Sequence, residues 1–169
     1  MIEIPEKHDF ARRLEFDEQV MRQALTLAKR AAAIDEVPVG CIIIENGKVI
    51  SAEYNRREID QDATAHAEIL AMRAAGKLKP SWRLDGCDLY VTLEPCLMCA
   101  GAIIQARIRR LIFGAPDPKG GMAGSVYNVF DLPANHQVMI TGSVLQNECS
   151  EQLQVFFQRR RLMGRKDGF

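Results

Sequence analysis

No apolar run in this sequence is long enough to cross a bilayer. The longest, Val39 to Ile44 with its flanks, falls far short of the roughly 20 residues a membrane helix needs, so no membrane partner is expected. Charge of one sign is not in excess either: 22 Lys and Arg balance 22 Asp and Glu. A neutral chain sets up no global field for a polyanion, so nucleic-acid binding has to rest on local patches. Internal repeats, low-complexity tracts and linkers are missing as well. The first residues, "MIEIPEKHDFARRLEFDEQ", are charged throughout, unlike a signal or transit peptide. Five cysteines are an odd number, and 169 residues need no disulfide framework. A reducing cytoplasm is the expected setting, and one domain over residues 1–169 the expected organisation.

What is present reads as alternating helices and strands. Apolar residues Val20, Ala24, Leu27, Ala28 and Ala31 recur at helical spacing from about Phe16 to Ala33. "VGCIIIENGKVISAEYN" holds two β-branched runs around Asn46-Gly47, a strong hairpin signal. "DATAHAEILAMRAAGK" predicts a helix with Thr64 as its cap and Gly76 at its end. A strand in "DLYVTLEP" stops at Pro95, which can open the helix "CLMCAGAIIQAR". "RRLIFGA" is a fourth strand, "GGMAGSVYNVF" a Gly-rich loop leading to a short helix, and "HQVMITGSVL" a fifth strand. A long final helix, capped near Asn147, completes the chain. One mixed sheet between helix layers satisfies this order, since strands joined by helices tend to run parallel.

The chemistry concentrates in two short stretches. His66 and Glu68 sit two residues apart at the predicted start of a helix, where regular geometry would not let them share a face. Cys96 and Cys99 are spaced i, i+3 at another helix start, so both sulfurs can face one point. A helix N-terminus favours the thiolate, the form that binds metal. A Cys-x-x-Cys pair alone could equally be a redox dithiol or half of a structural zinc ribbon. The redox reading lacks its setting, because this pair follows a strand with Pro before it. The structural reading needs a fourth ligand. Cys87 is the best candidate, but an extended strand at about 3.3 Å per residue carries it roughly 20–25 Å from Cys96. Cys41 and Cys149 read as core thiols. One His and two Cys leave a fourth position open, the mark of a catalytic zinc site. Glu68 is then the carboxylate that takes a proton from water without occupying the metal.

"HAE" followed by "PCLMC" resembles the zinc-dependent cytidine and nucleobase deaminases. "EVPVGCII", "YNRREIDQDATAHAE", "LYVTLEPCLMCAGAIIQARI" and "IFGAPDPKGGMAGS" are similar to the bacterial tRNA-specific adenosine deaminases. The likeness runs from about Glu15 to Gly164; Met122, where that branch has a small residue, and the connection "FDLPANHQ" depart from it. The resemblance implies a cytidine-deaminase-like three-layer α/β/α sandwich with a central five-stranded mixed sheet. Its core would span about 15–130, with a C-terminal strand and basic helix at 137–164. It further implies one zinc per subunit on His66, Cys96 and Cys99, with Glu68 as the catalytic proton carrier. The implied reaction is hydrolytic deamination of the wobble adenosine of a tRNA anticodon to inosine. Asn55 would hydrogen-bond the flipped base, and Pro38, Val39 and the backbone around Ala67 would wall its pocket. Asp117 and Lys119 would lie near the ribose and phosphates beside it. A homodimer contacting the anticodon stem-loop with both subunits is the implied assembly.

The best basic cluster is "FFQRRRLMGRK". Phe156 or Phe157 with Arg159, Arg160, Arg161, Arg165 and Lys166 combines stacking and phosphate contacts, as single-stranded RNA recognition requires. Phe157 and Arg160 are the leading candidates for RNA contact. Arg107, Arg109 and Arg110 suggest a second patch beside the zinc helix. Gly120, Gly121 and Gly124 form no phosphate loop, since no Gly-Lys-Ser/Thr follows. Two rivals remain at this level. One is a deaminase of free guanine, cytosine or cytidine, which would not need the basic helix. The other is a non-catalytic RNA-binding module with structural zinc, which has no use for Glu68.

Overall fold

The computed structural model describes residues 10–164. Five strands form one sheet in the order β2-β1-β3-β4-β5. The elements are α1 (Phe10–Ala33), β1 (Gly40–Glu45), β2 (Lys48–Tyr54), α2 (Ala67–Lys77), β3 (Cys87–Leu93), α3 (Leu97–Gln105), β4 (Arg110–Ala115), β5 (Met139–Thr141) and α4 (Gln146–Gly164). β1 pairs antiparallel with β2 and β3, whereas β3, β4 and β5 run parallel. The expected mixed sheet is present. The hairpin turns on Asn46 and Gly47 with φ of 49° and 74°, the left-handed pair that matches the twist of the strands.

Helices cover both faces. α1 lays Val20, Met21, Ala24 and Leu27 on Ile42, Ile44, Tyr90 and Ile112. α2 and α3 pack Ala71, Met72, Ala75 and Ile103 on Ile43, Leu89, Val91 and Leu111. Residues alternate between the two cores along β1 and β3, so these central strands are apolar on both sides. Gly40 lets β1 approach α1 closely, since a Cβ there would meet the Ala28 nitrogen at 2.8 Å. α4 lies over β4, with Cys149 filling the space above Gly114. Cys41 and Cys149 are buried core thiols, as the sequence suggests.

Several boundaries differ from expectation. α1 begins at Phe10 and not near Phe16. β5 is only three residues long, and the Gly-rich loop leads into a single 3-10 turn, Val129–Asp131, capped by the Asn128 side chain. Gly76 lies inside α2, whose C-cap is Leu78. Asn147 lies inside α4, which starts one residue earlier. Arg165 and Lys166 fall outside the described residues.

Candidate metal centre and active-site cleft

α2 does not start where its sequence pattern places it. Thr64 is not the cap, because its hydroxyl and N–H both donate to the Asp62 side chain. His66 takes the N-cap position with extended backbone, φ −71° and ψ 150°. This answers the objection from helical spacing. His66 stands outside the helix while Glu68 sits in its first turn, so the two need not diverge as helical neighbours would. Cys96 has the same place on α3, an extended N-cap at φ −73° and ψ 175°, with Cys99 one turn in.

These two helix starts bring three ligand groups together. Nδ1 of His66 lies 3.7 Å from Cys96 Sγ and 3.6 Å from Cys99 Sγ. All three ligand atoms fall within 4.8 Å of one another. A tetrahedral zinc with ordinary Zn–S and Zn–N bonds spaces such atoms about 3.6 Å apart, so the donor set fits that ion in both type and separation. Among the described residues no fourth His, Cys, Asp or Glu joins the cluster. Cys87 lies at the opposite end of β3, beside Lys79 and paired across the sheet with Glu45. The Cys99 thiol donates to Cys96, which with His66 draws Cys96 down to about 4 against its burial. That same hydrogen bond, together with burial, holds Cys99 up. The surroundings of Cys96 favour the thiolate, the form that binds metal.

Glu68 is only 4 % exposed. Burial pushes its carboxyl above the usual range, against its own backbone N–H and the charge of His66. His66, Glu68 and Cys96 open onto a cleft of about 200 Å³ at the carboxyl ends of β3 and β4, walled by Val37, Val39, Ala67 and Leu93. Pro38 is buried and does not line it. Asn55 and Asp117 do line it; Lys119 is exposed and does not.

Two buried carboxylates frame the cleft, and neither stands out in the sequence. Glu94, 2 % exposed, accepts from the backbone N–H groups of Asp117 (3.0 Å), Ala123 (2.8 Å) and Ser125 (3.0 Å) and from the Ser125 hydroxyl. It thereby gathers the loop that carries Asp117, and Gly121 packs on it where a Cβ would collide. Glu36, 1 % exposed, accepts from the N–H groups of Glu58 and Ile59 at 2.7 and 2.8 Å and from Asn55 at 3.0 Å. The only sequence signal for either is a carboxylate set directly beside apolar and proline residues, in "EVPVG" and "TLEPC".

The basic residues divide. Arg160 reaches the cleft from α4, ion-paired to Asp35 at 2.9 Å and stacked over Phe156. Phe156 is buried, whereas Phe157 is exposed on α4 and does not line the cleft. In the second patch only Arg110 is withdrawn from the surface. Arg110, 6 % exposed, pairs with Asp17, which also accepts from Tyr90. Arg109 makes two 2.8 Å bonds to Asp88, and Arg107 bonds Asn135 at 2.7 Å. Arg109 and Arg110 are held by the buried Asp88 and Asp17, and Arg107 by the exposed Asn135, and none of the three lines the cleft.

With this geometry in place, comparison with known proteins is decisive. Residues 14–115 match the cytidine and deoxycytidylate deaminase zinc-binding region. The chain belongs to that deaminase family. Its metal is zinc, and His66, Cys96 and Cys99 form a site that accommodates it. The chain is 49% identical over 151 residues to the tRNA-specific adenosine deaminase of Haemophilus influenzae, covering 88% of this chain and 87% of that one. It is 44% identical over 146 residues to the enzyme of the same name from Bacillus subtilis, covering 86% and 91%. A solved structure from work on A-to-I editing by tRNA:A34 deaminases at the wobble position of transfer RNA superposes with a TM-score of 0.77. That structure is 44% identical and covers 79% of this chain and 98% of its own. No described helix is long and apolar enough to cross a membrane.

Proposed function

We propose that this chain deaminates the wobble adenosine of a tRNA anticodon to inosine by hydrolysis. The observation that carries the reading is a buried carboxylate, Glu68, beside a three-ligand zinc set at the floor of one cleft. His66, Cys96 and Cys99 would hold the zinc, which when bound would supply the Lewis acidity that makes water a nucleophile near neutral pH. Every other part of the chemistry falls to the chain. Water adds at C6 of adenine while Glu68 takes one of its protons and passes it to N1. The second proton goes, again by way of Glu68, to the exocyclic amino group. The C6–N6 bond then breaks, ammonia leaves, and the remaining C6 carbonyl is that of inosine. A buried carboxyl whose proton affinity is raised suits both halves of this exchange.

Asn55 reads the base edge, offering a donor and an acceptor to a planar partner. Ala67, Val37 and Val39 supply apolar walls that keep bulk water from the flipped ring. Asp117, held in place by Glu94, meets the ribose, and Lys119 waits outside for a flanking phosphate. Phe157 and Arg160 on α4 extend the contact to neighbouring nucleotides. The enzyme acts in the cytoplasm as a homodimer, one zinc to each subunit. Leu97 at the start of α3, with Val126 and Tyr127 in the loop that follows β4, exposes apolar surface that a second copy would bury.

The test compares substrates. Ammonia release from an anticodon stem-loop should exceed that from free adenosine, guanine, cytosine and cytidine by orders of magnitude. Equal or faster turnover of a free base would assign the cleft to small-molecule deamination.

A further inference from the structure

Asn55 cannot choose its own orientation. A side-chain amide has a donor end and an acceptor end of nearly equal shape, and it reads a base edge correctly in only one of its two flips. Here the choice is made by Glu36. This carboxylate lies next to the cleft but makes no contact that the chemistry above requires. Its Oε1 is occupied by the N–H groups of Glu58 and Ile59, at 2.7 and 2.8 Å, and its Oε2 faces Asn55 Nδ2 at 3.0 Å. An ionised carboxylate only accepts hydrogen bonds. Asn55 must therefore turn its nitrogen toward Glu36. No other partner holds the Asn55 side chain among the described residues, and it is not sealed off from the cleft it lines. We propose that Glu36 is a positioning and specificity-determining residue, which fixes the donor–acceptor order that Asn55 presents to the purine.

This rests on the deaminase reading above and deepens it: the substrate is an adenine whose edge matches one fixed flip of the amide. Burial makes the control strict. Glu36 is 1 % and Asn55 7 % exposed, so water cannot easily replace the bond between them, and a flipped amide would set its oxygen against a carboxylate oxygen. The loop from Arg56 to Ile59 is clamped by the other oxygen of Glu36. The two roles of this side chain are thus separated atom by atom.

That separation supplies the experiment. In Glu36→Gln the remaining oxygen can still accept from Glu58 and Ile59, while the new NH₂ group faces Asn55 and drives its amide to the opposite flip. Asn55→Asp alone sets two carboxylates face to face. The double variant Glu36→Gln/Asn55→Asp restores an acceptor-only partner to the NH₂ group and returns an oxygen to the cleft. All four proteins, loaded with zinc, are assayed for inosine formation in an anticodon stem-loop, with zinc content and Tm measured alongside. Each single variant should lose at least about 10-fold in kcat/KM, the scale of one lost base contact. The double variant should be several-fold better than Asn55→Asp without reaching wild type, because it restores the acceptor but not the donor. A Glu36→Gln protein within three-fold of wild type, or a double variant no better than Asn55→Asp, overturns the proposal. If Glu36→Gln does not fold, the comparison of the double variant with Asn55→Asp still decides. A wild type inactive on the stem-loop would instead count against the deaminase reading itself.

Discussion

His66 and Cys96 occupy the same position on two different helices, each the extended residue just before the first turn, with Nδ1 and Sγ 3.7 Å apart. The metal centre is thus built from two helix beginnings that meet. Both N-termini bring first-turn N–H groups and positive dipole ends to the place where thiolates must gather.

The ligand set makes its own prediction. Cys96→Ala should bind zinc stoichiometrically no longer, whereas Cys87→Ala should keep it, because Cys87 lies beside Lys79 and Glu45 at the other end of β3. Metal analysis after dialysis checks this. Equal loss from both variants would mean a closed four-ligand site.

Glu94 ties acid stability to the cleft. Burial raises its carboxyl, but the bonds from Ser125, Asp117 and Ala123 outweigh burial and leave it below the usual range. The unfolded chain therefore takes up the proton first. The stabilisation is complete above the ordinary carboxylate value of about 4.3 and fades as pH falls through the lower folded value. Glu94→Gln should cost about 1–3 kcal/mol at neutral pH, since it leaves buried N–H groups facing an amide nitrogen. Denaturation curves from pH 7 to 3 should show the variant and wild type converging toward the acid end.

The Arg110–Asp17 pair is buried, with side chains 7% and 4% exposed. Removing Asp17 takes the closest partner from Arg110 and leaves it only Asp88, at 3.5 Å and shared with Arg109, so Asp17→Ala should destabilise by at most about 3–5 kcal/mol. Zinc content at a temperature where the variant is folded should not change. A loss below 1 kcal/mol would mean that Asp88 takes over the arginine.

RNA affinity should follow α4. Replacing Arg159, Arg160 and Arg161 by alanine should weaken stem-loop binding, each lost phosphate contact removing roughly 0.7–0.9 from the log–log salt slope. Asp35→Asn should act in the opposite direction, because it releases Arg160 from an exposed pair. Such pairs are worth at most about 1 kcal/mol, so the gain should not exceed about five-fold. An unchanged slope in the triple variant would assign these arginines to a solvated face.

The sequence carries this architecture unevenly, and the reasons are physical. The Asn46-Gly47 turn was legible because two consecutive left-handed residues admit few alternatives. The zinc ligands were legible because their chemistry demands particular residue types at short spacing. The true start of α2 was not: Thr64 is a good cap by type, yet Asp62 captures it, and the helix begins three residues later. Glu36 and Glu94 were invisible because their partners are backbone N–H groups 22 to 31 residues away, and a backbone partner leaves no mark on residue type. Arg109 and Arg110 read as a surface patch for a different reason: their acids, Asp88 and Asp17, lie 21 and 93 residues away, on β3 and α1.

The most direct test of the account is Glu68→Ala, assayed for inosine at the wobble position of an anticodon stem-loop with its zinc measured in the same preparation. The variant should hold one zinc per chain, as wild type does, and lose turnover by about 10²–10⁴-fold, the scale of a general acid–base group. A zinc-loaded Glu68→Ala that edits within a few-fold of wild type would contradict the role assigned to this carboxylate, and with it the mechanism.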